Sequence, residues 1–160
     1  MFPSEAIQVL ENSPSGVVIL DPPYYSFGAY MFFLALCSGG LAYFLYHRQI
    51  LASLVPMLAV LALALAGFGS FLFTSKRLIS LSRSDGMLRV ERSKWGVKSL
   101  ESTLALNQIR RTTVGSVRFN NFIVVVMQSG ESFKLTDGSN RKGYYGAVDA
   151  INHFLGVSGE

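Results

Sequence analysis

Between Asp21 and Lys76 the only formally charged side chain is Arg48, with His47 beside it. Two uncharged stretches of 23 and 25 residues, 24–46 and 50–74, therefore flank one polar point. A helix needs about 20 apolar residues to cross the roughly 30 Å hydrocarbon layer of a bilayer, so both stretches are long enough to span. A soluble core does not explain them. With 50% of 160 residues apolar and 15% charged, the chain would suit one ordinary domain only if those residues were spread evenly. The soluble remainder is a short N-terminal lead and a C-terminal segment large enough for one small domain.

The spacing predicts three parts: a cytoplasmic lead over 1–23 contributing one strand, a two-helix hairpin over 24–74, and a soluble domain over 75–160. The first span, YYSFGAYMFFLALCSGGLAYFLY, carries aromatic residues at both ends, where amphipathic rings favour the headgroup level. Only His47, Arg48 and Gln49 separate it from the second, which makes the pair a tight antiparallel hairpin. A cleaved leader peptide does not fit the first span, because the preceding residues hold Glu5, Glu11 and Asp21 and no Lys or Arg. Lys76, Arg77, Arg83, Arg89, Arg92 and Lys94 follow the second span, against Arg48 alone in the hairpin. That bias predicts both termini on the cytoplasmic side, or the stromal side in a thylakoid. Small residues four apart, Ala35 and Gly39 in the first span and Ala62, Ala66 and Ser70 in the second, suit close helix packing. They serve either the hairpin itself or a docked membrane protein.

From Arg77 the pattern shortens to strand-like runs: LISLS at 78–82, the turn Ser84-Asp85-Gly86, MLRVER at 87–92, then runs at about 97–104 and 109–117. NFIVVVMQ at 121–128 is the most apolar, and SFKLT ends at Thr136. One alternate set of the long strand, Ile123, Val125 and Met127 or else Phe122, Val124 and Val126, must face inward with Leu88, Val90 and Leu135. Tyr144, Val148, Ile151 and Leu155 then recur at helical spacing, predicting one amphipathic helix over about 142–155, opened by cap residues among Asp137–Asn140 and ended by Gly156. The fold class expected is a membrane α-helical hairpin plus an α+β domain. Its antiparallel sheet is either a pleckstrin-homology-like barrel closed by the C-terminal helix or a meander with that helix packed across it.

Several strings carry a resemblance: Leu106 to Ile109, L-N-Q-I; the long apolar strand; S-G-E-S-F-K-L-T at 129–136; and F-L-G at 154–156. Together with the lead Glu11 to Pro23, they resemble bacterial membrane-anchored pleckstrin-homology-like proteins with two N-terminal spans. S-R-S-D-G-M-L-R-V-E-R-S-K-W-G at 82–96 is also similar in layout to the photosystem I assembly proteins of cyanobacteria and plastids. These strings imply a fold rather than a reaction.

Residues 75–160 hold 13 Lys or Arg against 7 Asp or Glu, whereas the first 46 residues carry a net charge of −3. Cations next to a span attract anionic headgroups, each contributing about 1 kcal/mol. The candidate lipid or partner contacts are Lys76, Arg77, Arg89, Arg92, Lys94, Trp95, Arg141 and Lys142. Trp95 either inserts at the interface or fills the barrel mouth. The loop Thr136–Gly143 offers amides and two cations, yet its glycine spacing matches no phosphate-binding fingerprint, so a capped helix start is the simpler reading. Arg110, Arg111 and Arg118 suggest a second basic patch.

Catalytic chemistry has no foothold in the sequence. Cys37 is the only cysteine, which excludes an intramolecular disulfide and a cysteine metal cluster. His47 and His153 fall on opposite sides of the bilayer, and no nucleophile or paired-carboxylate motif occurs. The expectation is a non-enzymatic protein with no cofactor and no nucleic-acid partner. It is an accessory, scaffold or assembly subunit docking on a larger integral membrane protein complex. The alternatives are an adaptor for anionic lipid headgroups and a photosystem assembly factor.

Overall fold

A computed structural model describes residues 5–51 and 53–157. The chain divides into two compact units, one of residues 23–75 and the other of 5–22 together with 76–157.

The first unit is a helical hairpin, α1 (Tyr25–Arg48) and α2 (Leu54–Thr74), and both helices are long and apolar enough to cross a membrane. The connection differs from the sequence expectation. Helix α1 runs through His47 and Arg48, because nothing there interrupts it, and ends at Gln49. That residue takes a left-handed φ of 53° and donates its N–H to the Leu45 and Tyr46 carbonyls. Leu51 is also left-handed, at φ 51°. The second helix therefore begins at Leu54 rather than at position 50; Ala52 of the expected span lies outside the described residues. Where the hairpin meets its ends, Tyr24 N–H donates to the Leu72 carbonyl at 3.2 Å.

The second unit holds eight strands and one helix. Strands β1 (Gln8–Asn12), β2 (Gly16–Asp21), β3 (Lys76–Ser82), β4 (Met87–Lys94) and β5 (Val97–Ala105) form an antiparallel sheet in that order. Strands β6 (Ile109–Val117), β7 (Asn120–Met127) and β8 (Ser132–Lys134) form a second. A short 3-10 turn at Leu106–Gln108 joins them, and α3 (Tyr144–Leu155) follows.

Three expectations are corrected here. The N-terminal lead carries two strands rather than one, and both belong to the soluble sheet: β2 pairs with β3 from Gly16↔Ser82 to Asp21↔Arg77. The hairpin is thus inserted between two neighbouring strands. Residues 1–4 of the lead lie outside the described residues. The sheet is not a closed barrel, because the described strands fall into two separate ladders and β5 passes to β6 through the 3-10 turn. SFKLT is strand only over Ser132–Lys134; beyond it Leu135 N–H still donates to the Ile123 carbonyl, and the Thr136 hydroxyl accepts the Ile123 N–H at 3.0 Å.

One core joins both sheets to the helix. Ile123, Val125 and Met127 are the inward set of β7, with Leu88, Val90, Leu135, Val148 and Ile151 as expected and Val17, Ile19, Ile79 and Leu81 from the strands flanking the hairpin. Leu155 is only half-buried, and Phe154 takes the inward position. The helix starts at Tyr144, two residues later than expected. Its cap is Gly143 at φ 96° rather than a polar side chain from Asp137–Asn140. A Cβ at Gly143 would run into the Ile7 carbonyl oxygen, and Ile7 N–H donates to the Lys142 carbonyl at 3.0 Å. Glycine is required there both for φ and for the close approach of the N-terminal segment. At the other end Gly156, at φ 73°, ends the helix as the sequence suggested.

Candidate interaction sites

Antiparallel register places Asp21, Arg77 and Arg92 side by side on β2, β3 and β4. Glu101 reaches this row from β5, and Asp137 and Arg141 reach it from the segment before α3. Arg77 makes a two-pronged bond to Glu101, Nε to Oε2 at 2.7 Å and Nη2 to Oε1 at 2.9 Å, and its Nη1 lies 3.0 Å from Asp137. Arg92 contacts the same two carboxylates at 3.5 Å. Arg141 donates Nη1 to Asp21 at 2.8 Å and to the Pro22 carbonyl at 2.6 Å, and both side chains of that pair are buried.

Burial pushes the Asp21 carboxyl up to about 6, against the pull of Arg141 and Arg77 and with Asp137 adding to the rise. Burial also works against the charge of Arg77. Its hydrogen bonds to Glu101 and the charges of Asp137 and Glu101 outweigh it, so its pKa is raised above the ordinary arginine value. Three cations thus face three carboxylates. The arrangement is one of structural neutralisation, since each of these arginines is held by a carboxylate of its own fold.

The candidate cations therefore separate. Arg77, Arg92 and Arg141 are partnered inside the unit, and Arg89 forms an exposed pair with Asp85 at 3.0 Å. Lys76 and Lys142 are exposed, and Lys94 is half-buried. Trp95 is 59% exposed and stands outside the core, so it does not fill the interior. It shares a two-residue turn with Gly96, at φ 55° and 81°. Arg141 points at Asp21 and Pro22, while the Thr136 hydroxyl and the Ser139 hydroxyl, 2.7 Å from the Tyr144 hydroxyl, serve the fold. The side chains of Thr136, Asp137, Ser139 and Arg141 in the Thr136–Gly143 loop are thus committed to internal bonds, while Lys142 is exposed.

Arg110 and Arg111 line a groove of about 390 Å³ between β6 and α3 with Tyr145 and Asp149. At its floor the Asn152 amide stands in for a missing strand. Its Oδ1 accepts Thr112 N–H at 2.7 Å, and its Nδ2 donates to the Thr112 carbonyl at 2.9 Å. Among the described residues, no group of three or more His, Cys, Asp or Glu is arranged to hold a metal ion.

In the hairpin, Ala35 is buried and a Cβ on Gly39 would lie 3.8 Å from that of Ala62, so these candidates sit on the seam. Ala66 and Ser70 are half-buried, and the Ser70 hydroxyl donates to the Ala66 carbonyl of its own helix at 2.9 Å. The closest approach is made by two glycines the spacing argument missed. A Cβ on Gly28 would stand 2.6 Å from the Phe73 ring, and one on Gly69 would stand 3.2 Å from the Gly28 carbonyl. Gly28, Ala35 and Ala42 are all buried and recur at seven-residue steps, a period that four-residue counting does not detect.

Comparison with protein-family models and with curated proteins finds no match.

Proposed function

We propose that this protein is a non-catalytic, membrane-anchored accessory or scaffold subunit, whose hairpin docks against a larger membrane protein complex and whose folded unit is a pleckstrin-homology-like domain. The observation that carries the reading is how the helix glycines divide. Gly28, Gly39 and Gly69 are consumed by the hairpin's own seam, whereas a Cβ on Gly40 or Gly67 would meet nothing within 4 Å. Lipid tails gain little from a notch in a helix, while a third helix gains close backbone approach. The two-sheet core capped by a C-terminal helix supports the domain assignment. Neutralised arginines fit a domain built to be held in place rather than to catalyse.

The second reading is an adaptor for anionic lipid headgroups, favoured by the exposure of Lys76 and Lys142 with Arg110 and Arg111. A photosystem assembly factor is a special case of the first, and rests on the hairpin layout, the string at 82–96 and the F-L-G-V ending at 154–157.

Copurification of the full chain in mild detergent tests the choice. Exposed charge contacts weaken as the Debye length falls from about 10 Å at 0.1 M salt to about 3 Å at 1 M, while apolar helix contacts persist. A scaffold retains a stoichiometric partner through that wash and loses it on Gly40→Leu or Gly67→Leu, with the hairpin intact. Partner-free protein that carries one anionic lipid, released by salt, overturns the scaffold in favour of the adaptor.

A further inference from the structure

We propose that the folded unit carries two apolar prongs, the Trp95 tip between β4 and β5 and the Phe119 tip between β6 and β7, which enter the interfacial layer of the bilayer. The proposal rests on the reading that the hairpin crosses a membrane.

Both tips are exposed in a way the fold itself does not use. Trp95 is 59% exposed and Val97 70%, while Phe119 is 84% exposed and Val117 60%. Two-residue turns with positive φ favour Asn, Asp or Gly. Here Trp95 takes φ 55° and Arg118 takes φ 57°, so each tip accepts an unfavourable backbone to present a large residue. A local cost without a local packing gain marks a functional position.

The tips lie at one end of the unit. Asp137 bonds to Arg77 and Arg92, which pair with each other on the row three residues before Trp95, at 3.0 and 3.5 Å. The next residues of the same segment reach the other tip. A Cβ on Gly138 would stand 3.1 Å from that of Asn120, and Ser139 pairs with Asn121. The segment Asp137–Ser139 thus links the strands that carry the two turns, β4 and β7, near the same end.

This is also the end at which the chain leaves for the helices. Ser75 alone separates Thr74 of α2 from Lys76 of β3, and Pro22 to Tyr24 separate β2 from α1. Lys76 pairs with Ser93 in antiparallel register, so Trp95 lies two residues beyond Lys76, in the direction from which the chain arrives. Two strand residues cover about 7 Å. Trp95 therefore sits at the end of the folded unit through which the chain passes to α2. The flanking charges suit an anionic surface: Lys76, Lys98 and Arg118 are exposed beside the two tips. Indole and phenyl rings with adjacent cations match the chemistry of the bilayer interface.

Trp95 is the only tryptophan and Cys37 the only cysteine, which makes the test direct. The full chain is reconstituted in phosphatidylcholine and phosphatidylglycerol bilayers containing lipids brominated at shallow or deep acyl positions. Trp95 emission should be blue-shifted and quenched more by shallow than by deep bromine, and a Phe119→Trp reporter in a Trp95→Phe background should behave alike. A fluorescent label on Cys37 in α1, quenched by brominated lipid, reports the hairpin independently. Water-like, unquenched emission from both tips with a quenched Cys37 label overturns the prongs and leaves the hairpin standing. Tips shielded from aqueous iodide and from bromine alike overturn them in favour of a protein contact. An unquenched Cys37 label overturns the spanning reading and the proposal together.

Discussion

Asp21 shows how a single residue takes its character from distant chain. It is the last residue of β2, yet its partner Arg141 comes from the segment before α3, and Arg77 and Asp137 also act on it. Its raised pKa sets a sign. Below the ordinary value of 3.8 the carboxyl is protonated in both folded and unfolded chains; above about 6 it is ionised in both, and the folded state bears the cost of burying the charge. Stability from this group therefore falls as pH rises from about 4 to about 6, by up to about 3 kcal/mol at 1.36 kcal/mol per unit. Asp21→Asn removes that dependence. Relative to the variant, the wild-type protein should lose stability over this pH interval, as read by thermal unfolding of both in the same detergent. A difference between the two that does not change with pH contradicts the buried, desolvated carboxyl.

At the scale of elements, local pattern was legible and non-local pairing was not. Met87 to Arg92 alternates because one face of β4 meets the core and the other meets solvent, and this reads directly from sequence. Asp85-Gly86 turns the chain where expected, and Gly156 ends α3. The pairing of β2 with β3 leaves no local trace, because the whole hairpin separates strands that are neighbours in space. The carboxylates that neutralise Arg77 and Arg92 are hidden for the same reason: Glu101 comes from β5 and Asp137 from the segment before α3. The Asn152 amide belongs to this class as well. It caps the outer edge of β6 at Thr112, accepting both the N–H and, at 2.9 Å, the hydroxyl. Asn152→Ala leaves a partly buried peptide without partners and should cost about 1–3 kcal/mol, whereas Asn152→Asp keeps an acceptor but loses the donor to the Thr112 carbonyl. Hydrogen exchange should show faster opening of the Thr112 amide in the Ala variant. An unchanged rate there means that α3 holds β6 through Val148 and Ile151 alone.

For the molecule as a whole, orientation in the membrane follows from where Lys and Arg lie rather than from net charge. The distinction matters here, because Arg77 and Arg92 are neutralised by Glu101 and Asp137 in the folded unit and would vanish from a net-charge count. The bias is counted on Lys and Arg themselves rather than on net charge, so both residues still count towards it. Lys76, Arg77, Arg83, Arg89, Arg92 and Lys94 fall within about 20 residues of the end of α2, inside the range over which such charges bias insertion. Opposing them is Arg48 in the last turn of α1, with His47. The segment before α1 brings no Lys or Arg and so does not counter the bias. Because β2 and β3 pair with each other, the folded unit also requires residues 5–22 and 76–157 on the same side, which only an even number of crossings permits. Both sides of the hairpin should therefore end in the cytoplasm, or its topological equivalent. In a Cys37→Ser background, a cysteine at the exposed Ile50 should react with a membrane-impermeant maleimide in intact cells, and one at the exposed Asn107 should react only after permeabilisation. Reversal of that pattern would place the folded unit outside, while reaction at both positions in intact cells would break the hairpin reading itself.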